Sequence, residues 1–414
     1  MMRGKLVPIL LLVFSVSLFG NGLNLNSLGS RALSMGGAFV AIADDPSAVF
    51  WNPAGITQFE GKTLGLYFTD IIPSASYKFD LVGVDASYSK HYPAALFAFY
   101  LPLSEKLTAG LAVYTPSGLG SNWDGKDFLP LTGGKELEWM SKIGMVTISP
   151  VVAYKASDIL SFGVALNANY GMMKLKTSAG GAQYAEDSNG WGYGATLGVL
   201  MKPSENLSLG LSFKTASKIS LSGDVTMEAL AYFSQLFGTT VPTTSSFTRD
   251  ITWPMWIGAG IAFNPVDNFT LSADVQWTQW SKEDVIKTDF ESSIWKLIFA
   301  QTPDKEEEMV LNWKNATQIR FGAEYMINEN IAVRGGYYYD PTPAPDETMN
   351  ILLPSFDFNV ITFGFGIKGE GYNLDLGVEY LMGKERNVTP TADNMPGVYN
   401  MKMLVPSISF TYKF

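Results

Sequence analysis

Hydrophobicity in this chain alternates with a period of two, in segments of about ten residues, from Leu64 to the last residue. Leu207, Leu209, Leu211 and Phe213 alternate with Ser208, Gly210 and Ser212. Phe269, Leu271, Ala273, Val275 and Trp277 alternate with Thr270, Ser272, Asp274 and Gln276. The same holds for Leu374, Leu376, Val378 and Tyr380 against Asn373, Asp375, Gly377 and Glu379, and for Ile408, Phe410, Tyr412 and Phe414 against Ser407, Ser409, Thr411 and Lys413. Successive side chains on a strand point to opposite faces, so each segment has one apolar face and one small or polar face. About ten residues is also the length a tilted strand needs to cross a bilayer.

The pattern repeats in about 14 segments, beginning near Leu64, Ala94, Leu107, Met145, Phe162, Trp191, Leu207, Arg249, Phe269, Thr317, Ile331, Asn359, Tyr372 and Leu404. An even number suits a single-chain outer-membrane barrel, with apolar side chains outward and polar ones inward. Composition agrees: 47% hydrophobic and 13% aromatic residues leave a mean hydropathy of only +0.09 because the apolar positions are interleaved with polar ones. The expected fold is therefore all-β, a transmembrane antiparallel barrel of about 14 strands.

The connections fall into two classes. Ser104-Glu105-Lys106, Pro203 to Asn206, Asn264 to Asn268 and Asn328-Glu329-Asn330 read as short turns on one side. Ser117 to Ser141, Thr226 to Ser246, Ser281 to Asn312, Asp340 to Asp357 and Gly383 to Lys402 read as long loops on the other, the arrangement of periplasmic turns and extracellular loops. Two of these loops carry short helix-like patterns, Met227 to Phe237 and Phe290 to Ala300. Both are apolar enough either to pack on themselves or to form an external landing platform.

The first 22 residues read as a secretory signal: Arg3 and Lys5, an apolar core from Leu6 to Phe19, and Gly20-Asn21-Gly22 as a cleavage site. The chain has no cysteine, which removes disulfides and thiolate metal sites. A formal net charge of −10 argues against nucleic acid as a partner. His91 is the only histidine, in an expected turn Lys90-His91-Tyr92-Pro93, so a Ser-His-Asp triad or a histidine-based metal site would have to use it. No catalytic base paired with a nucleophile is evident, no cofactor motif is present, and Asp44-Asp45 lacks the spacing of a calcium loop.

A block from Ser34 to Phe59, SMGGAFVAIADDPSAVFWNPAGITQF, precedes the first alternating segment. Its Gly36, Gly37, Ala38, Ala43, Asp44, Asp45 and Asn52-Pro53-Ala54 resemble the N-terminal plug, or hatch, of the FadL family of outer-membrane transporters for long-chain fatty acids and other hydrophobic molecules. Trp277-Thr278-Gln279-Trp280-Ser281 resembles that family's aromatic-Trp-Ser segment. The run from Trp313 through Arg334 to Asp340-Pro341-Thr342-Pro343-Ala344-Pro345 is similar to its pair of strands ending in an Asp- and Pro-rich loop.

The resemblance implies three parts: a signal peptide (1–22), a hatch inside the lumen (23–61) and the barrel (62–414). It implies passive uptake of a fatty acid or hydrocarbon, with exit sideways through the barrel wall into outer-membrane lipid. A monomer is expected, delivered by the barrel assembly machinery that reads a terminal strand ending in an aromatic such as Phe414. On Phe162 to Thr177 the inward positions Asn167, Asn169, Gly171, Met173, Leu175 and Thr177 turn from polar to apolar, which either makes Met173, Leu175 and Thr177 the candidate ligand residues, Leu175 foremost, or marks a strand packing against the neighbouring plug. Where fatty-acid transporters of the family place basic residues near the carboxylate, Thr177 and Met309 stand here, with Lys174, Lys176 and Lys305 nearby. The ligand is then either uncharged or held by another cation. Inward charges Lys214, Asp274, Arg320, Glu324, Arg334, Asp375 and Glu379 are expected to pair with the hatch, with Arg320 or Arg334 gripping Asp44 or Asp45. A non-specific porin or a structural barrel is the alternative reading.

Overall fold

The computed structural model describes residues 22–238, 240–299 and 307–414. The expected signal peptide, apart from Gly22, and Lys305 lie outside the described residues. Fourteen strands form one antiparallel barrel. They are β1 (Thr63–Phe79), β2 (Val84–Ser89 continued by Tyr92–Pro102), β3 (Leu107–Trp123), β4 (Trp139–Lys155) and β5 (Leu160–Ala179). Then come β6 (Ala182–Ser204), β7 (Leu207–Lys214 and Ser217–Met227), β8 (Thr244–Trp253 and Trp256–Val266), β9 (Phe269–Thr278, extended by Val285–Phe290) and β10 (Ala316–Asn328). The last four are β11 (Ile331–Asp340), β12 (Phe358–Gly369), β13 (Tyr372–Gly383) and β14 (Gly397–Lys413). The barrel closes where β1 pairs with β14, Thr63 opposite Lys413 and Lys78 opposite Val398.

The outward face carries the apolar half of the alternation. Phe68, Leu111, Val152, Leu211, Val275, Phe321, Phe363 and Ile408 are exposed, as lipid-facing side chains must be. Tyr154, Tyr325, Tyr372 and Tyr412 ring the end that carries the short turns, the level at which interfacial aromatics sit.

Several strands run further than the alternation suggests: β4 starts at Trp139 rather than Met145, β6 at Ala182 rather than Trp191, and β14 at Gly397 rather than Leu404. The loops are correspondingly shorter. The cause is an inversion of phase along β14, where the outward residues of the lower part are Ile408, Phe410 and Tyr412 but those higher up are Lys402 and Asn400, with Met401 and Tyr399 turned inward and buried. The outer ends rise above the lipid, so their apolar side chains face the lumen and pack with loop aromatics such as Trp123, Phe128 and Trp139. The Lys90-His91 step is a break inside β2, not a turn. His91 Nδ1 there lies 2.6 Å from Asp70 Oδ2 on the outer face, a carboxylate partner the sequence did not suggest. The two helix-like patterns are short helices, α3 (Leu230–Phe237) and α4 (Ser293–Phe299).

Residues 22–62 fill the lumen. They contain α1 (Ser30–Ser34), α2 (Ala48–Trp51) and a 3₁₀ helix, Pro53–Gln58. Leu28, Phe39, Val49, Phe50, Trp51 and Ile56 are buried against inward-facing Ala98, Ala112, Ala153 and Ala165 of the wall. Small inward residues leave the room that this segment takes up.

Candidate functional site

The hatch motif fits the wall through backbone contacts. Gly36 and Gly37 have φ of 64° and 66°, a conformation that costs a side-chain-bearing residue. A Cβ on Gly37 would lie 2.3 Å from Nη1 of Arg320, and one on Gly36 would lie 2.7 Å from the Phe321 carbonyl. Asn52, fully buried, donates to the carbonyls of Val40 in the hatch and Val199 on β6, both at 2.9 Å. Its Oδ1 accepts from the Ala54 amide at 3.2 Å and so caps the 3₁₀ helix that Pro53 begins. Asn52-Pro53-Ala54 lies so close to β5 and β6 that a Cβ on Gly163 or Gly198 would strike it at 2.3 and 2.1 Å.

Charge pairs then lock the hatch in place, though not in the expected sense. The cation is on the hatch: Arg31 bonds Glu324 of β10 through two 2.8 Å contacts and also reaches Asp44. Glu324 is shared with Arg334, which also pairs with Asp375 at 2.7 Å. Arg320 grips no hatch acid; it donates to the Gly36 carbonyl at 2.9 Å and to Gln318, and lies over the Tyr338 ring. Asp274 accepts the Phe39 and Val40 amides at 2.9 and 3.0 Å. The expected grip of Arg320 or Arg334 on Asp44 or Asp45 is therefore corrected: backbone carbonyls and a hatch arginine take those roles. Asp45 turns inward on its own segment and accepts from the Ser47 amide at 2.8 Å and from its hydroxyl. Burial pushes the Asp45 carboxyl up to about 6.

Above the hatch, residues 22–27 thread through the upper lumen. Leu25 donates to the Pro116 carbonyl at 2.9 Å, Ser117 donates to the Leu23 carbonyl at 2.5 Å, and Trp253 donates to Asn24 at 3.1 Å. Asn26 donates to Asp340 at 2.7 Å. Three small cavities, of about 80, 70 and 50 Å³, abut this one segment. The largest is lined by Asn24, Phe50, Tyr114, Pro116, Lys214 and Trp256 among others; the smallest is mostly apolar, with Leu23, Tyr88, Leu119, Ile143 and Trp313.

These cavities lie behind a weak place in the wall. Between Tyr114 and Ser117, β3 carries one residue more than β4, whose partners are Thr147 and Met145, so the strand bulges at Thr115-Pro116. Pro116 has no amide to offer a ladder. The β2–β3 ladder runs from Pro102 opposite Thr108 to Leu96 opposite Tyr114 and stops at that level. Above it the upper segment of β2 pairs with β1, Val84 opposite Phe79. Across the resulting seam Tyr88 donates to the Gly120 carbonyl at 3.3 Å and stacks edge-on against Trp123.

Of the candidate ligand residues, Met173 and Leu175 are buried and inward, as their parity requires, while Thr177 is half-buried near the rim. Met173 packs with Ile143, Ile219, Trp253 and Trp280 and touches Arg249; Met309 packs against the same cluster. The structure thus brings Met173 and Met309 to one apolar body. Arg249 and Glu186 close beside it as a buried two-bond pair at 2.5 and 2.9 Å. Lys174 pairs with Asp187 and Lys176 with Glu138 at 2.8 Å, so neither is a free cation. Trp280, fully buried, meets Trp313 edge-on at 5.2 Å, and Gly22 lies against its ring. The Pro-rich loop after β11 is tied down by Arg386, which donates to the carbonyls of Ser355 and Ala344 at 2.7 and 3.0 Å. On α4, Trp295 and Phe299 pack inward with Phe247 and Phe290, and Leu297 stays exposed. Sequence reasoning missed Arg31, the seam and the ladder end at Tyr114; Pro116 inside an alternating segment was the available sign of a break.

The family model described as "Outer membrane protein transport protein (OMPP1/FadL/TodX)" matches residues 11–414. The chain is 24% identical over 421 residues to a long-chain fatty acid transport protein of Escherichia coli O6:H1, covering 91% of this chain and 90% of that one. It is 22% identical over 399 residues to outer membrane protein P1 of Haemophilus influenzae, covering 83% and 82%. Among solved structures, a Pseudomonas aeruginosa FadL homologue superposes with a TM-score of 0.76 at 17% identity over 95% of this chain and 100% of that one. The Pseudomonas putida toluene transporter TodX gives 0.73 at 17% identity over 96% and 99%. With the family model spanning hatch and barrel alike, this outer-membrane β-barrel belongs to the FadL/TodX family of outer membrane transport proteins.

Proposed function

We propose that the protein is a passive outer-membrane channel for hydrophobic compounds, long-chain fatty acids or other hydrocarbons, which leave through the wall between β2 and β3. The observation that carries this reading is the unpaired seam above Leu96 and Tyr114, with small cavities directly behind it and the segment 22–27 standing between them. In this reading the signal peptide (1–22) is removed on export, residues 23–61 are the hatch, and 62–414 the barrel. Met173, Leu175 and Thr177 belong to the upper ligand path, and Gly36, Gly37, Asp44, Asp45, Asn52, Pro53 and Ala54 hold the lower lumen shut. A ligand entering from outside displaces residues 22–27, joins the cavities and reaches the bulge at Pro116. The driving force is burial of apolar surface, about 25 cal/mol per Å², so delivery into lipid tails runs downhill without an energy source. The barrel acts as a monomer and is inserted by the barrel assembly machinery, which reads the terminal strand ending in Phe414.

Two measurements test this together. Small molecules extracted from the purified, detergent-solubilised protein are identified by mass spectrometry, and labelled oleate and toluene uptake is followed in cells lacking their own transporter. A variant with Pro116 deleted restores the β3–β4 register without changing the facing of either half-strand. It is expected to assemble and to lose uptake. Undiminished uptake by that variant rejects lateral exit, and an empty barrel that conducts ions supports the porin alternative.

A further inference from the structure

Among the described residues, Lys214 is an inward cation without an anion. It ends the lower segment of β7, and its ammonium lies 3.3 Å from the ring centroid of Phe50 on the hatch and 4.5 Å from that of Trp256 on β8. No carboxylate pairs with it among the described residues, whereas Arg249 has Glu186 and Arg334 has Glu324 and Asp375. The cavity it lines offers no acid either: the neighbouring amides and hydroxyls are occupied with one another, Thr147 donating to Asn169, Asn169 to Ser217, and Asn167 to Thr196, at 2.7 to 3.0 Å. Two aromatic faces favour a cation, but they carry no charge, and an ammonium withdrawn from bulk water calls for an anion.

We propose that Lys214 anchors the carboxylate of an amphiphilic acid in transit: its ammonium donates to the carboxylate oxygens, and the hydrocarbon tail lies along Tyr114 and Pro116 toward the seam. The inference rests on the transport reading and sharpens it. The substrate class becomes a hydrophobic monocarboxylate, held by a cation deep in the lumen, level with Ala165 on β5 and far below Thr177 near the rim. Asn24, Leu25 and Asn26 wall the same cavity, so the tail takes the room that the displaced segment vacates.

The test is equilibrium binding of labelled dodecanoate and dodecanol to the purified full chain in non-ionic detergent at neutral pH. Wild type is compared with Lys214→Met, Lys214→Gln and Lys214→Arg. Heat-modifiable gel mobility confirms that each barrel is folded. Dodecanoate binding is expected to weaken about tenfold or more in Lys214→Met and Lys214→Gln, as loss of one charge-assisted hydrogen bond implies. Lys214→Arg should retain it, and dodecanol should bind all four alike. Unchanged dodecanoate binding by folded Lys214→Met and Lys214→Gln, with dodecanol still bound, overturns the anchor alone. Failure of wild type to bind either compound overturns the transport reading with it.

Discussion

Arg31 of the hatch and Glu324 of the wall meet in a two-toothed ion pair, Nε to Oε2 and Nη2 to Oε1, both at 2.8 Å. The partners are 293 positions apart in the chain, so this contact reports directly on whether the hatch is seated in the barrel. Removing one member of a buried pair typically costs 3–5 kcal/mol, and because Arg334 still pairs with Glu324, Arg31→Met should cost about 2–3 kcal/mol of hatch docking. The barrel is expected to stay heat-modifiable while planar-bilayer recordings gain ion conductance. Silent bilayers with Arg31→Met would show that backbone contacts suffice.

Gly37→Ala and Gly133→Ala make a matched comparison. Both glycines have positive φ, 66° and 64°, but a Cβ on Gly37 meets Arg320 at 2.3 Å whereas nothing lies within 4 Å of one on Gly133. Backbone strain alone costs about 1–2 kcal/mol, so Gly133→Ala should lose that much and Gly37→Ala clearly more. Thermal denaturation of the two purified variants decides it; equal losses would mean that the Arg320 side chain simply moves aside.

The hatch should tighten on mild acidification. Burial raises the Asp45 carboxyl from 3.8 to about 6, so the native state binds more protons than the unfolded one between those values. Stability from this group is therefore full below about pH 4, is lost as pH rises toward 6, and is flat above. Protection factors of residues 40–50, which discount the base-catalysed intrinsic exchange rate, should be higher at pH 5 than at pH 7.5 in wild type. In Asp45→Asn, which keeps the acceptor for Ser47, that difference should vanish; its persistence would assign the effect to another group.

Met173→Trp tests the upper path. Met173 is fully buried beside Trp253 and Trp280, and overpacking such a site costs about 1–3 kcal/mol, which a barrel of this size tolerates. Uptake of labelled oleate should fall severalfold with surface expression unchanged, and normal uptake would remove Met173 from the ligand path.

The strand positions were legible because lipid on one side and a small-residue lumen on the other force a period of two on every segment from Leu64 to Phe414. Legibility ended where the chain leaves the lipid, at the phase inversion between Leu404 and Lys402, since alternation alone does not say which face is wet. Parity marked Arg320, Glu324 and Arg334 as inward but not which groups they bond: Glu324 faces Arg334 on the next strand, Asp375 is two strands from Arg334, and Arg31 and the Gly36 carbonyl belong to the hatch. Arg31 showed no periodic signal at all, being in a five-residue helix. The seam left only Pro116 as a mark: it consists of hydrogen bonds that β2 and β3 do not make, and sequence records residues rather than missing pairings.

That same inversion of phase is a depth gauge. On β1 and β14 the outward apolar side chains, interrupted on β1 by Asp70, reach Ile72 and Leu404, which are register partners, before Ser74 and Lys402 take over. The ladder between β2 and β3 ends at Leu96, which lies opposite Tyr67 on β1, several residues nearer the periplasmic rim. The mouth of the seam is thus set below the waterline of the outer leaflet. A compound that took the proposed route would meet acyl chains first.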